Sequence, residues 1–353
     1  MTDNALQNRI RSAWLGRISG CQLGKPVETL SMREGLEGLE RYLERAGVNA
    51  IRDYLPFVEH PRVLRECCRD HIVRSEPDDD INYSLLALLM LEEHGENLQT
   101  VDVARAWLRL LPAGKTYTAE RAAYAILLAR GAEWFAEGAA PGFDLAECAQ
   151  NPYNTWIGAQ IRADVYGWVL PGEPGRAAEL ARRDAALSHV GDGVYGAMLV
   201  AALGAALAAD PPDRALERAL ATIPADSDAT AAVALGRSLV GSPDAVARMH
   251  AKYEGMSPVH TLNNLAVVVW ALYAHLDDFG AAIGDAVGAG WDTDCNGATV
   301  GGLWGLQGGE IPEQWTAPWR GRVALSLAGH DELPVDALVE RTVAVARRLS
   351  THR

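Results

Sequence analysis

The sequence predicts an all-α protein, and three observations support that class. Near the C-terminus, Leu338, Val345 and Leu349 share one helix face with Thr342, whereas charged residues point elsewhere. Runs that alternate apolar and polar residues between Asn-Gly or Asp-Gly turns are nearly absent, which argues against a sheet-based fold. Prolines punctuate the middle of the chain where helices begin or break. With 353 residues, we expect a dozen or more helices in a single domain spanning residues 1–353.

The composition is that of a globular protein with an acidic surface. Charged residues make up 22% of the chain and hydrophobic residues 49%, which excludes a fibrous or wholly disordered chain. The formal net charge is −14, and such a surface repels phosphate backbones and anionic lipid headgroups. General nucleic-acid or membrane binding is therefore not expected, although metal ions would let a local pocket hold a phosphate.

Signals for secretion or membrane insertion are missing from the sequence. The N-terminal segment lacks the apolar core of a signal peptide. The longest apolar stretch, residues 195–209, is rich in Gly and Ala and shorter than the ~20 residues a membrane span needs. The five cysteines are an odd number without the spacing of a disulfide framework. We expect a cytoplasmic protein with reduced thiols.

The first predicted helix carries Gly16, Gly20 and Gly24, spaced four residues apart. This spacing leaves a bare stripe along one helix face, which lets another helix approach closely. Glycine costs a helix about 1 kcal/mol relative to alanine, so close packing should compensate. A second glycine-rich stretch covers residues 301–309, and the pattern favours packing of these two helices on each other.

The least regular part of the chain is residues 29–76, which is rich in charges and has few periodic apolar residues. Two interpretations stand side by side. The segment is either an insertion or lid that covers a site, or a set of solvated surface helices and loops.

Acidic residues cluster at three places, each beside a predicted helix. They are Asp78, Asp79 and Asp80, then Asp292 and Asp294, and lastly Glu28. An Asp before a helix is often an N-cap, but a cap needs one Asp and not three. Adjacent carboxylates repel one another unless a cation neutralises them, and Mg²⁺ prefers such oxygen ligands. The clusters therefore indicate a candidate metal site, with helix capping as the alternative.

Five sequence blocks, taken together, resemble the ADP-ribosylglycohydrolase family. In order they are Gly20-Cys21-Gln22-Leu23-Gly24-Lys25-Pro26-Val27-Glu28, Asp78-Asp79-Asp80, Gly158-Ala159-Gln160-Ile161-Arg162-Ala163, Ser188-His189 and Gly290-Trp291-Asp292-Thr293-Asp294-Cys295. The resemblance runs from about residue 11 to residue 310. The family is that of the dinitrogenase-reductase-activating glycohydrolase and ADP-ribosyl-acceptor hydrolase type, and the Asp-Asp-Asp and Asp-Thr-Asp-Cys motifs resemble a bacterial subgroup closer to small-molecule members than to the arginine-specific enzymes.

This resemblance implies an all-α hydrolase with two Mg²⁺ ions, or Mn²⁺, in a binuclear site. By motif position, the metal ligands would be Asp78, Asp79, Asp80, Asp292 and Asp294. An activated water would cleave the glycosidic bond at the anomeric ribose carbon of an ADP-ribosylated protein or small molecule. Glu28 and Asp79 are the two candidates for the catalytic base, and the sequence does not choose between them.

The resemblance also implies a set of substrate-binding residues. Gly158 and Ala159 would form the loop near the distal ribose and phosphates, and His189 would be a pocket histidine. Arg162 would contact a phosphate or carboxylate, with a structural salt bridge as the alternative. His189 could equally be a satisfied histidine at a helix end. Trp291 would form part of the pocket wall.

Three positions depart from the commonest family pattern. Asp78 and Cys295 each stand where threonine is usual, and Trp291 stands where glycine is frequent. A thiol is a poor ligand for Mg²⁺, and the extra carboxylate of Asp78 could compensate. Two alternative functions therefore stay open. The first is hydrolysis of small ribosides or nucleosides at the same site, and the second is a catalytically silent ADP-ribose-binding protein. The sequence specifies neither the acceptor nor the oligomeric state.

Overall fold

Helix α1 (Asp3–Gly24) shows how local sequence sets the bounds of an element in this fold. Thr2 is its N-cap, and the Thr2 hydroxyl accepts a hydrogen bond from the amide of Ala5 at 3.3 Å. At the other end, Pro26 lies in the 3-10 turn Lys25–Val27, where its ring and missing amide favour a break from regular α-helix. Helix α2 (Glu28–Arg45) begins directly after this turn. The computed structural model describes residues 2–131 and 140–350.

Helices dominate the described residues, and the predicted all-α class is confirmed. The helices that follow α2 are α3 (Asp79–His94), α4 (Thr100–Leu110), α5 (Thr118–Arg130), α6 (Asp164–Trp168), α7 (Pro174–Ala185), α8 (Asp192–Leu207), α9 (Pro212–Leu220), α10 (Asp228–Ser238), α11 (Ala245–Lys252), α12 (Thr261–Ala274), α13 (Phe279–Gly288), α14 (Thr293–Leu306), α15 (Glu313–Thr316) and α16 (Val335–Ser350). None of these helices is both long and apolar enough to span a bilayer within the described ranges.

One β-hairpin adds to the helices, and the sequence pattern did not reveal it. Strand β1 (Arg322–Leu327) pairs antiparallel with β2 (His330–Pro334), and Leu327 lies opposite His330. Gly329 supplies a positive φ of 78° in the turn. The turn is Ala-Gly and not Asn-Gly or Asp-Gly, so the usual hairpin signal is missing.

The two glycine-rich helices cross in direct backbone contact, as the glycine stripe predicted. A Cβ added at Gly20 would overlap the carbonyl oxygen of Gly297, and one at Gly16 would overlap that of Gly301. Gly24 lies equally close to the backbone of Thr293 at the start of α14. Helix α14 is buried along its whole length, so α1 packs against the centre of the molecule. The crossing therefore fixes the end of α1 beside the start of α14.

Helix α3 is brought to the same place by contacts on the segment before it. The side chain of Gln22 accepts a hydrogen bond from the Glu76 amide at 3.0 Å and donates one to the Glu76 carbonyl at 3.4 Å. Ser75 pairs with β1, where its amide donates to the Arg322 carbonyl at 2.8 Å. These contacts position the N-terminus of α3 next to the end of α1.

The irregular segment, residues 29–76, is packed into the core by its own side chains. The hydroxyl of Tyr54 donates to the Trp315 carbonyl at 2.7 Å, and the two rings meet edge to face at 5.2 Å. The backbone of Ile51 lies against Gly284 of α13 so closely that a Cβ on Gly284 would overlap it. The role of this segment as a lid stays a prediction.

The close crossing predicts that Gly20→Ala destabilises the protein strongly. A methyl group at this position meets a backbone carbonyl, which cannot rotate away, so the helices must separate. We expect a loss of about 3 kcal/mol or more in the free energy of unfolding, measured by denaturant titration. Gly175→Ala is the matched control, because this helical glycine in α7 has open space around it. That variant should gain about 0.5 kcal/mol. Equal stability of both variants would contradict the tight crossing.

Candidate metal centre and active site

Six carboxylates meet where the ends of three helices converge. Asp78, Asp79 and Asp80 lie at the N-terminus of α3, Asp292 and Asp294 at that of α14, and Glu28 at that of α2. Asp78, Asp80, Asp292 and Asp294 are buried, with exposed fractions of 5% or less. Glu28 and Asp79 are half-buried, so they form the side of the cluster that solvent reaches. Both residues that the sequence offered as catalytic bases therefore lie on this open side.

The side chains form three overlapping groups, each able to surround a cation. The members of each group have ligand atoms within 4.8 Å of one another. The first group is Glu28, Asp292 and Asp294. The second is Asp80, Asp294 and Cys295, and the third is Cys21, Asp78 and Asp80. Asp294 and Asp80 each belong to two of them, so neighbouring groups share a carboxylate. Asp79 belongs to no such group among residues 2–131 and 140–350.

Both oxygens of Asp78 are already engaged. Asp78 has an extended backbone and is the N-cap of α3, since its Oδ1 accepts from the Asp80 amide at 2.9 Å. Its Oδ2 accepts from the Lys25 ammonium at 2.5 Å. The proposed helix cap and the charge pairing thus coexist at this residue.

A buried arginine orients Asp80. Arg17 on α1 donates to Asp80 Oδ1 at 3.1 Å and to the Asp80 carbonyl at 2.9 Å. The same guanidinium donates to Asp164 at 2.8 Å and to Ser84 at 2.7 Å. Asp80 Oδ2 is buried and has no hydrogen-bond partner within the described part of the chain. Arg17 therefore fixes one oxygen of Asp80 and leaves the other free for a ligand.

The loop before α14 is strained at Trp291, which has a φ of 57°. A positive φ is uncommon for a bulky side chain and must be held by its surroundings. The Trp291 ring stacks on His250 with 3.9 Å between centroids and 14° between planes. On the other side, Asn264 accepts from the Asp292 amide at 3.4 Å and from the Asn296 side chain at 2.8 Å. These contacts direct Asp292 into the cluster.

Burial and mutual repulsion disfavour the charged form of most of these carboxyls. Burial raises the pKa of Glu28 well above its usual range, and Asp294 and Asp292 raise it further. The pKa of Asp292 is also raised well above normal by burial and by Asp294. For Asp294, burial and the nearby Asp78 raise the pKa to about 6.

The α3 carboxyls differ because only one of them has a lysine partner. Burial raises the pKa of Asp79, and Asp78 and Asp294 add to the effect. At Asp80, burial outweighs the Arg17 guanidinium, so the pKa is also raised well above normal. Burial would raise the pKa of Asp78 as well, but Lys25, together with hydrogen bonds from the Asp80 amide and the Cys21 thiol, holds that pKa below the usual value.

This donor set fits hard divalent cations. Carboxylates only accept, and so many of them in one buried place need positive charge beyond what Lys25 and Arg17 provide. The unpartnered Asp80 Oδ2 points to the same need. Glu28, Asp292 and Asp294 form an all-oxygen group of the kind that Mg²⁺ and Mn²⁺ prefer.

Arg162 sits in a buried ionic network. Its guanidinium donates to Glu120 at 2.5 Å, to Asp184 at 2.6 Å and to the Ser188 hydroxyl at 2.9 Å. Its side chain is only 1% exposed. Of the two interpretations that the sequence left open, the geometry matches the structural salt bridge.

The other predicted substrate-binding residues border this network. Gly158 and Ala159 lie in the buried 3-10 turn Ile157–Arg162, and a Cβ on Gly158 would overlap the Glu120 carboxylate. His189 Nδ1 is 2.8 Å from the Ser188 hydroxyl. Ser188 also accepts from Arg162, so the imidazole is joined to the same network. Within the described residues His189 Nε2 has no hydrogen-bond partner and lies 3.9 Å from a Glu120 carboxylate oxygen.

Comparison with known proteins decides the family. The family model described as ADP-ribosylglycohydrolase matches residues 2–348. The chain belongs to the ADP-ribosylglycohydrolase family. A search of curated proteins finds no significant match. Forty-three chains of solved structures match. One is titled "ADP-ribosylglycohydrolase-related protein complex" and has a TM-score of 0.58 and 20% sequence identity. The alignment covers 98% of this chain and 99% of that one, which supports a shared fold.

Several site residues of this family member carry no clear signal in the sequence. Lys25 lies inside the first motif, but nothing in the sequence placed it on Asp78. Arg17 is hidden among the α1 glycines, and Asp164, its acidic partner, has no pairing signal in the sequence. Half-exposed Tyr117 lies near the open side, because Asp79, Asp78 and Glu28 add to the effect of burial in raising its pKa. The position of Arg17 directly after Gly16, within a glycine stripe that predicts close helix packing, is the sequence signal that could have pointed to these buried charged residues.

The raised pKa values predict how metal-free protein responds to pH. Folded carboxyls with raised pKa bind protons more tightly than unfolded ones, so stability falls as pH rises from about 4 through the folded values. In EDTA, the melting temperature should therefore drop between pH 5 and pH 8. Mg²⁺ should raise it more at pH 8 than at pH 5. Asp292→Asn should melt higher than wild type in EDTA at pH 8 and respond less to Mg²⁺. A flat wild-type profile would contradict the cluster's electrostatics.

The buried network predicts a structural phenotype for Arg162→Met. Removing this guanidinium leaves Glu120 and Asp184 buried without their partner, so we expect a loss of about 3–5 kcal/mol in unfolding free energy. Arg11→Met removes an exposed pair with Asp336 and should cost less than about 1 kcal/mol. Unchanged stability of Arg162→Met, combined with weaker substrate binding, would instead assign Arg162 to the ligand.

Proposed function

We propose that this protein is a divalent-cation-dependent hydrolase that cleaves the glycosidic bond at the anomeric ribose carbon of an ADP-ribosylated acceptor. The observation that carries this proposal is the cluster of six carboxylates at the family's motif positions, with Glu28 and Asp79 on its open side. The acceptor would be a protein side chain or a small molecule. The cations would be two Mg²⁺, with Mn²⁺ as a substitute.

The residues divide into ligands and a proton acceptor. Asp80, Asp292 and Asp294, buried and close together, would hold the cations, which when bound supply charge for ribose hydroxyls and for water activation. Glu28 or Asp79 would accept a proton from the attacking water. The water oxygen bonds to the anomeric carbon while the bond to the acceptor breaks and the acceptor takes up a proton.

Asp78 takes a different part in this proposal from the other aspartates. Its two oxygens cap α3 and pair with Lys25, so it serves first to hold α3 beside α1. An ion pair that is internally neutral at this position resembles the uncharged threonine usual in the family. We therefore place Asp78 at the edge of the cation site.

The Arg162 network would hold the second part of the substrate site in shape. It fixes the turn with Gly158 and Ala159 through Glu120 and the Gly158 carbonyl, which accepts from Arg162 at 3.1 Å. The turn and the unpartnered Nε2 of His189 would face the distal ribose and phosphates. The five free, buried thiols favour a reducing compartment such as the cytoplasm.

The ion pairs of Arg162 also favour a second candidate function, the hydrolysis of a smaller riboside or nucleoside. Its guanidinium is committed to Glu120 and Asp184, so it is not available to bind a diphosphate. Trp291, packed on His250, adds bulk beside Asp292. Both features suit a smaller riboside or nucleoside that is cleaved at the same carboxylate cluster.

The proposal predicts metal-dependent release of ADP-ribose from ADP-ribosylated arginine. Release should occur with Mg²⁺, stop in EDTA and fall by at least about a hundredfold in Asp292→Ala, which keeps its fold but loses cation binding. Arg11→Met serves as the active control. Release of ribose from simple ribosides, without release from the arginine conjugate, would favour the second candidate. Normal turnover by Asp292→Ala would contradict the cation site.

A further inference from the structure

The carboxylate cluster contains two buried thiols that hard-cation chemistry does not use. Cys295 is within 4.8 Å of Asp80 and Asp294 ligand atoms, and Cys21 is equally close to Asp78 and Asp80. The exposed fractions are 6% for Cys295 and 0% for Cys21. A thiolate is a soft ligand that favours Zn²⁺ and related ions over Mg²⁺. One end of the cluster therefore offers only oxygen ligands, whereas the end with Cys295 and Cys21 also offers sulfur.

We infer that Asp80, Asp294 and Cys295 form a mixed carboxylate–thiolate site for a borderline divalent cation such as Zn²⁺. This inference rests on the proposed cation binding, and it does not require that the protein hydrolyse ADP-ribose. Asp292 and Asp294, on the all-oxygen side of the cluster beside Glu28, would hold the hard cation. The inference thus replaces one of the two proposed Mg²⁺ ions by a borderline cation, and Asp294 belongs to the groups at both positions.

The unpartnered oxygen of Asp80 selects this group. Arg17 occupies Asp80 Oδ1, whereas Oδ2 is buried without a partner within the described residues. When Asp80 is ionised, this buried oxygen without a donor needs a cation to balance its charge. Asp294 and Cys295 lie within reach of the same carboxylate. Three protein ligands with a position left for water or substrate is the pattern of catalytic zinc sites.

The group of Cys21, Asp78 and Asp80 is less available to a cation. Its Asp78 already caps the Asp80 amide and binds the Lys25 ammonium, so a cation there would have to displace Lys25. Lys25 also puts a positive charge beside that group. Cys295 is therefore assigned as the ligand, and Cys21 as a buried neighbour.

Binding of the cation at this site releases a proton. The Cys295 thiol loses its proton to solvent as the sulfur binds the cation, so one proton is released for each thiolate formed. No oxidant or reductant is needed.

Cobalt absorption tests the inference directly. Metal-free protein is titrated with Co²⁺, and a thiolate-to-cobalt charge-transfer band in the near ultraviolet is expected in wild type. Cys295→Ser should abolish the band, whereas Cys21→Ser and Cys148→Ser should keep it. Cys148 is a matched control because it is a buried thiol outside all three groups. Absence of the band in wild type, its persistence in Cys295→Ser, or its loss in Cys21→Ser overturns the assignment.

Cation affinity provides a second readout. In competition with a chelator, Cys295→Thr should bind Zn²⁺ at least about tenfold more weakly than wild type, while Mg²⁺ affinity is unchanged or higher. Near-ultraviolet circular dichroism of the metal-free variants checks that they fold. Unchanged Zn²⁺ affinity in a folded Cys295→Thr contradicts the site. Failure of ADP-ribose release with the cobalt band present would reject the proposed hydrolysis alone.

Discussion

The backbone contact between α1 and α14 is the constraint on which the metal centre depends. Gly20 faces Gly297 and Gly16 faces Gly301, so the two helix axes approach more closely than any side chain would allow. Glycine inside a helix costs stability, and the packing of buried α14 against the buried C-terminal half of α1 offsets that cost. Because Glu28 follows α1 and Asp292 precedes α14, the crossing brings together acidic residues that are far apart in the chain. A wider crossing would separate the groups that could share a cation.

The carboxylate cluster concentrates negative charge in one buried place, which lowers the stability of the folded protein when no cation is bound. Six carboxylates at converging helix ends repel one another, and burial raises the pKa of most of them. Helix N-termini and two basic residues offset part of this repulsion, with Lys25 on Asp78 and Arg17 on Asp80. The repulsion that remains is typical of a cation site, where the folded protein is less stable than it could be because the charges serve function.

The buried Arg162 network shows how polar residues can shape a site without entering it. Arg162 donates to Glu120, Asp184 and Ser188, and the Ser188 hydroxyl in turn holds the His189 ring through Nδ1. Such a network is costly to break but leaves few choices of geometry when all its members are paired. Asp164 and Asp184, which the sequence left without partners, prove to be the counter-ions of Arg17 and Arg162.

The sequence alone determined the features that depend on neighbours along the chain. Helical periodicity predicted the all-α class, the glycine stripe predicted the α1–α14 crossing, and the acidic motifs marked the cluster together with Glu28. Tertiary structure decided which charges pair and which thiols lie within the cluster. Lys25 meets Asp78 and Cys295 meets Asp80 only after three helices converge. It also decided the hairpin, whose Ala-Gly turn carries a weak local signal. Local hydrogen bonds and helix faces are encoded at short spacing, whereas pairings across 50 or 200 residues depend on crossing geometry that a linear pattern does not contain.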